Sequence, residues 1–378
     1  MTLRALVAYF LGLGTWGFGG PAVLVERMRR ELVDERGWFG LAEYKEGLAL
    51  AQIAPGPLAA QLAIYLGWVR GGLVGATLVG AAFVAPSFVM VLALSAAYVR
   101  FGGLAWMRGA FYGVGAAVIA LIAHSAWRLA RKTLGSDRLL WAVMAANALV
   151  TAWTGREIVW VFLGSGLLVL LVRHPLRAWP RVATALVLPP WWATGLYGAA
   201  DGATLGRLLG YFAKAGAFVF GSGLAIVPFL HGGVVRDMRW LTERQFLDAV
   251  AVSMITPGPV VITVAFIGYL VAGPLGAAAA ALGVFLPAWG FVVLCARWFR
   301  RAVRDERVRA AVDGVTAAAA GAIAGAALVL GRRAVIDGPT VLLFALTLAA
   351  VAWARRVPEP VLILGAAAAG LLARGAHP

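Results

Sequence analysis

The sequence predicts an all-α polytopic membrane protein made of two inverted-topology repeats. Three observations lead there. Of 378 residues, 62% are hydrophobic and 13% charged, with a mean hydropathy of +0.86; soluble domains run at roughly 45–50% apolar and 25% charged. The tripeptide Pro-Gly-Pro occurs twice inside apolar segments, at 55–57 and 257–259. The arginine-rich loops of the two halves alternate out of phase.

Many long apolar stretches indicate helices rather than a barrel. The net charge of +16 sits largely in short loops between them. That is the positive-inside pattern and not a nucleic-acid surface. A lone Cys295 excludes an internal disulfide framework and a Cys-based metal site, and His124 and His231 stand apart. No cofactor is expected. No phosphate loop ends in Lys-Ser/Thr, so ATP is not the expected energy source. The N-terminus shows no basic n-region and no A-x-A site, so no cleaved signal peptide is expected.

An offset of 202 aligns Tyr9–Pro57 with Tyr211–Pro259 without a gap, giving 13 identities in 49 positions. This composition would give about four by chance. After one deletion the match resumes: Pro86 aligns with Pro287, and Tyr112-Gly113-Val114 with Asp313-Gly314-Val315. The chain therefore divides into a repeat at 1–172, an interfacial linker at 173–202 and a second repeat at 203–378.

Each repeat opens with a Gly-rich apolar segment, 3–20 or 203–222. It ends in Phe18-Gly19-Gly20-Pro21 or Phe220-Gly221-Ser222-Gly223. An amphipathic stretch runs to Trp38 or Trp240. Pieces 40–53 and 58–70, and then 242–255 and 260–271, flank Pro-Gly-Pro. Proline removes a donor and clashes with the preceding turn, so the motif breaks the helix. Pieces this short read as the arms of a re-entrant hairpin. Longer spans follow at about 73–98, 108–127, 139–153 and 157–172, and at 275–296, 310–330, 339–354 and 360–373. Each repeat thus holds about five transmembrane helices plus one hairpin. An odd number of crossings inverts the second copy, as the shifted loop charges require.

Hairpins entering from opposite faces bring their tips together near the midplane. The arm after each tip starts there, and a helix N-terminus presents free N–H donors and partial positive charge. The candidate substrate site is therefore Pro55, Gly56 and Pro57 with Pro257, Gly258 and Pro259. Gln61 and Thr263 stand near the first turns as side-chain donors. Gly19, Gly20, Gly221 and Ser222 allow close backbone approach, or simple helix contact. Lys214, in an apolar segment, either neutralises an anion or snorkels. Glu46 and Asp248 occupy equivalent positions, nine residues before each Pro-Gly-Pro. A carboxylate there suits a coupling proton, or a wetted hairpin base. Two proline kinks inside ordinary spans remain the alternative for the tips. Arg27, Arg29 and Arg30 lie among carboxylates and read first as a salt-bridged face, second as anion recruitment. Asp313 reads as a helix-start charge. Gly109-x-x-x-Gly113 and Gly321-x-x-x-Gly325 pack either the two halves or two protomers of a homodimer.

Phe18-Gly19-Gly20-Pro21 followed by Ala54-Pro55-Gly56-Pro57, repeated as Phe220-Gly221 and Thr256-Pro257-Gly258-Pro259, resembles the chromate ion transporter family, long two-domain type. The resemblance covers nearly the whole chain. It implies a bacterial inner-membrane protein that exports chromate, a tetrahedral dianion shaped like sulfate, driven by the proton motive force. It also implies that the matched Gly and Pro residues hold the anion. Ser222-Gly223 departs from the Gly-Pro of the first copy. The partners implied are chromate or a sulfate-like oxyanion, protons and the lipid bilayer. A transporter of sulfate or another small anion, and a lipid-handling membrane protein, are the alternatives. No catalytic pair at matched depth supports an enzyme.

Overall fold

The computed structural model describes residues 1–18, 21–54, 56–101, 105–154, 159–173, 202–217, 226–302, 306–353, 357 and 359–375. Among these, all regular structure is helical. The first half holds α1 (Leu3–Trp16), α2 (Pro21–Arg29), α3 (Leu41–Ile53), α4 (Leu58–Phe101), α5 (Ala105–Leu134), α6 (Arg138–Thr154) and α7 (Val159–Arg173). The second holds α8 (Gly202–Ala217), α9 (Ile226–Leu230), α10 (Glu243–Ile255), α11 (Thr263–Ala302), α12 (Glu306–Ala334), α13 (Gly338–Trp353) and α14 (Glu359–Gly375). The interior of the linker lies outside the described residues.

Local sequence explains the breaks, and it does so twice. α2 and α9 run on into π-helical turns, Arg30–Glu35 and His231–Asp237. These close identically: Trp38 N donates to Leu32 O, and Trp240 N to Val234 O, both at 2.8 Å. The amphipathic stretches therefore end at the matched tryptophans. α10 starts on a capping box, Thr242 with Gln245, which satisfies two orphan donors reciprocally.

α4 and α11 each contain a chain reversal. Gly72 (φ 56°) and Gly273 (φ 62°) take the left-handed conformation that favours glycine. Beyond the reversals, Gly67 faces Gly75 and Gly268 faces Gly276, backbone against backbone. Each long helix is thus a pair of antiparallel helices, divided where the sequence separates 58–70 from 73–98 and 260–271 from 275–296. Four described segments are long and apolar enough to cross a membrane: Leu58–Phe101, Gly109–Arg131, Val260–Leu294 and Ala310–Arg332. α1, α7, α13 and α14 carry shorter apolar stretches.

The halves exchange partners. α6 and α7 pack on α12 of the second half, and α13 and α14 pack on α5 of the first. The contacts correspond residue for residue. Gly113 lies against Ala366 and Gly370; its counterpart Gly314 lies against the equivalent Ser165 and Val169. α5 and α12 run antiparallel, with Gly115 beside Ala334 and Ile119 beside Gly331. Both G-x-x-x-G motifs serve this interlock: Gly109 and Gly113 meet α14, and Gly321 and Gly325 meet α6. Of the two roles read from sequence, contact between halves is the one the fold uses. Within each half, Gly14 of α1 abuts Phe83 O, and Gly216 of α8 abuts Val284 O.

Polar bridges pin the same interlock at its ends. Tyr112 donates its hydroxyl to Asp337. Arg173 joins Asp137 to Asp313, the latter at 2.8 Å. Asp313 therefore does not act as a helix-start charge: α12 begins at Glu306, and the Asp313 carboxylate is taken up by an arginine from the other half.

Two predictions follow the packing. Leucine at Gly113 would place its Cβ inside backbone atoms of α14, whereas Gly164 has open space around its α-carbon. Overpacking costs about 1–3 kcal/mol or more, so Gly113→Leu should lower the melting temperature and monodispersity in detergent while Gly164→Leu leaves both unchanged. The Arg173 hydrogen bond, helped by the backbone N–H groups of Leu139 and Leu140, holds the Asp137 carboxyl below its ordinary value. Its stabilisation is present above the unfolded value of about 3.9 and is lost as pH falls through the lower folded value. Arg173→Ala should therefore cost below about 1 kcal/mol near neutral pH, and the difference in melting temperature from wild type should shrink on acidification to pH ~3.

Candidate functional site

The Pro-Gly-Pro motifs form the tips of two helical hairpins. In the first, α3 returns along the opening stretch of α4, with Gly47 packed on Tyr65 and Leu62. In the second, α10 returns along Val260–Ile262 and α11, and the Thr263 hydroxyl lies 2.6 Å from Ser253 Oγ. Gly56 (φ 141°) and Gly258 (φ 97°) hold conformations that disfavour a side chain. Gly56, Pro57, Pro257, Gly258 and Pro259 are all buried.

Each tip docks on the opposite half. A Cβ on Gly56 would come within 2.8 Å of Ala288 Cβ, next to Pro287. Gly258 faces Ser87, next to Pro86, which is the equivalent position of the first half. The second tip is held by two hydrogen bonds. Gly258 N donates to Gly17 O at 3.0 Å, and Ser87 Oγ donates to Pro257 O at 2.7 Å. These bonds satisfy backbone groups freed by the break.

The tips enclose a shared cavity. It is lined by Pro57, Leu58 and Ala59 of the first, Gly258, Pro259, Val260 and Val261 of the second, and Pro21 and Leu24 of α2. Its volume is about 10 Å³, enough for no more than one water. The lining side chains are all apolar. The returning arms begin at this surface, and the first N–H groups of a helix lack intrahelical acceptors, but the cavity wall itself is almost wholly apolar. What the arrangement offers chemically is two helix starts beside one narrow apolar seam.

The other candidates distribute around this seam. Gln61 is fully buried and folds back over Gly56, its Nε2 2.6 Å from where a Cβ would stand. Thr263 is fully buried and turned into its own hairpin, toward Ser253 and Val260 O. Lys214 stands on the exposed face of α8 and does not line the cavity. Glu46 is half-buried, with the Tyr65 hydroxyl at 3.3 Å in its own hairpin. Asp248 is 4% exposed and receives the Tyr98 hydroxyl at 2.7 Å. Gly19, Gly20, Pro55, Gly221 and Ser222 lie outside the described residues. Among the described residues, no cluster of His, Cys, Asp and Glu could hold a metal.

Sequence reasoning missed Gly17, Ser87 and Tyr98. Ser87 carried a signal, a hydroxyl directly after a proline that matches Pro287 in the repeat. Gly17 and Tyr98 had none, because their partners come from the other half. Arg27 gains a closer context. The salt-bridged face is present, with Arg29–Glu26 at 2.8 Å and Arg30–Glu35 at 3.3 Å. Arg27 itself pairs with Glu31 at 2.7 Å and reaches Trp16 O at 3.3 Å. It lies one turn beyond the cavity-lining Leu24, beside the end of α1 that holds the second tip.

A multi-pass helical membrane protein with matched halves and a seam of broken helices between them is the class that this architecture defines. The family model described as Chromate transporter matches residues 4–170 and again 206–371. The chain belongs to that family. It is 56% identical to the chromate transport protein of Cupriavidus metallidurans, over 98% of this chain and 93% of that protein. It is 52% identical to a probable chromate transport protein of Synechococcus elongatus, over 98% and 95% of the two chains. It is 35% identical to a chromate transport protein of Pseudomonas aeruginosa, over 98% and 92%. No solved structure matches the chain.

Ser87→Ala would leave the buried Pro257 carbonyl without its hydroxyl donor, a loss of about 1–3 kcal/mol. Amide exchange over 256–262 should accelerate roughly in proportion, while Ser95→Ala, which removes only a bond to Val91 O in its own helix, should leave that segment protected.

Proposed function

We propose that the protein is a secondary active transporter that exports chromate across the inner membrane, with movement coupled to protons. The observation that carries this reading is the seam between the two Pro-Gly-Pro tips, in a chain whose family and relatives bear the name of chromate transport. Two helix N-termini converge on it, and such ends favour an oxyanion.

The halves are read as inverted repeats, each with about five transmembrane helices and a re-entrant hairpin. The antiparallel run of the equivalent helices α5 and α12 supports inversion, because a two-fold axis that reverses two membrane-crossing helices lies in the membrane plane. In the closed arrangement the seam is too small for a tetrahedral oxyanion. Transport then requires the tips to part, opening the seam to one side at a time. Gly56, Pro57, Gly258 and Pro259 line or shape the site, with Pro55 and Pro257 completing the breaks. Gln61 and Thr263 support the two tips from behind. Gly19, Gly20, Gly221 and Ser222 stay in the proposed site on sequence grounds, as small residues at equivalent positions of the two copies. Lys214 adds long-range attraction from its exposed face. The coupling proton rides on the equivalent carboxylates Glu46 and Asp248.

Purified protein in liposomes should move chromate down an imposed gradient. Gly56→Leu and Gly258→Leu should each lower the rate at least about tenfold, equivalent to ~1.4 kcal/mol in the barrier, and intact transport in both would remove the tips from the site. Competition by sulfate and molybdate reads selectivity. Lipid scrambling without anion flux would favour a lipid-handling protein instead.

A further inference from the structure

We propose that Tyr98 and Asp248 form a protonation-sensitive tether between the halves, and that this tether links the coupling proton to the docking of the second tip. The proposal rests on the transport reading above for its consequence. Its premise is geometric. α10 ends in the second tip, and that hairpin is bonded to α4 of the other half at two points. Ser87 holds Pro257 O at the tip, and Tyr98, three turns further along α4, holds Asp248. The first anchor is a neutral hydroxyl on a carbonyl and does not titrate. The second is a hydroxyl on a carboxyl, and it does.

The surroundings make the second anchor sensitive. Asp248 sits against a hydrophobic cluster that includes Ala249 and Phe246. The Tyr98 ring is packed edge-on by Phe111 of α5 and Phe266 of α11, at 5.7 and 5.2 Å. α10 also packs on α14 and on the π-helical turn before it. Of all these neighbours, Tyr98 is the titratable group that meets the carboxyl, and Arg244 on α10 itself is the cation that acts on it. Among the described residues no ion pair neutralises it. A carboxylate held dry by one neutral donor is poorly compensated, and water entering the seam would relieve it. Docked tip and neutral acid therefore go together, as do undocked tip and carboxylate, and each equilibrium biases the other.

Among the described residues, the bonds seen at the first hairpin are of another kind. Ala288, without a hydroxyl, stands opposite Gly56, and Glu46 meets Tyr65 of its own hairpin. Of the two carboxylates, the tether thus links the Asp248 proton directly to docking across the halves.

The test uses the full chain in liposomes, with chromate and an imposed pH gradient. Asp248→Asn, fixed in the neutral form that goes with the docked tip, should lower pH-driven accumulation about tenfold, slow chromate–chromate exchange as well, and leave exchange without its dependence on pH. Tyr98→Phe removes the donor that favours the carboxylate, so the pH midpoint of transport should move about one unit alkaline. A structural role alone would lower exchange and accumulation while leaving their pH dependence and its midpoint in place, which would overturn the proposal. An infrared pH titration of the same proteoliposomes without chromate separates the two readings. A protonated-carboxyl band that Asp248→Asn abolishes and Tyr98→Phe shifts supports the tether even if no chromate moves, in which case the transport reading alone fails. A spectrum that neither variant alters rejects the tether even where chromate transport is intact.

Discussion

A broken helix in an apolar medium has to find partners for its backbone inside the protein. Two breaks per molecule set the terms for this fold. The groups freed at Pro257 and Gly258 are taken up by Ser87 and Gly17, which belong to the opposite half. No single hairpin could supply them, because a hairpin tip has no neighbour beyond its own end. Docking each tip on the opposite half solves that problem, and it brings the starts of the two returning arms to one seam. The candidate site is a by-product of how the breaks are sealed.

The same reciprocity runs outward from the seam. Glycines at matched positions let α5 meet α14, and α12 meet α7, at backbone distance. In lipid, water does not drive helices together, so close packing and a few polar bridges carry the association. Tyr112 with Asp337, and Arg173 with Asp137 and Asp313, are those bridges. They stand near helix ends, where the carboxylates stay partly hydrated. Asp248 is the exception in depth, and its one hydroxyl partner comes from across the interface.

Much of this was legible in the sequence because the repeat reports it twice. The 202-residue offset located both hairpins, both tips and both matched tryptophans, and most helix bounds lie close to those read, although α5 and α11 run past their predicted ends of 127 and 296 to Leu134 and Ala302. Proline and glycine are local signals, so the breaks at 55–57 and 257–259 and the reversal at Gly72 and Gly273 could be read without a fold. Partners across the halves could not. Nothing about Tyr98 or Gly17 on its own announces a contact 150 or more residues away. Lys214 carried two readings, an anion partner or a snorkelling side chain, and sequence alone did not choose between them. A lysine in an apolar segment invites a buried role, but the helical face it occupies is exposed. The order of the halves is likewise a long-range property, visible in loop arginines only as a phase.

The exchange of helices between halves has a consequence for how the chain is made. α6 and α7 are synthesised early, yet their main partner, α12, emerges well over a hundred residues later. Until then the first half holds its small-residue surfaces against lipid and its first tip against nothing. The molecule therefore has no stable halfway stage of a finished domain followed by another. Assembly waits for the second copy to arrive, and the long connection at 174–201 keeps the two copies at high mutual concentration while it does. Gene duplication here produced two pieces of one object, each unfinished alone.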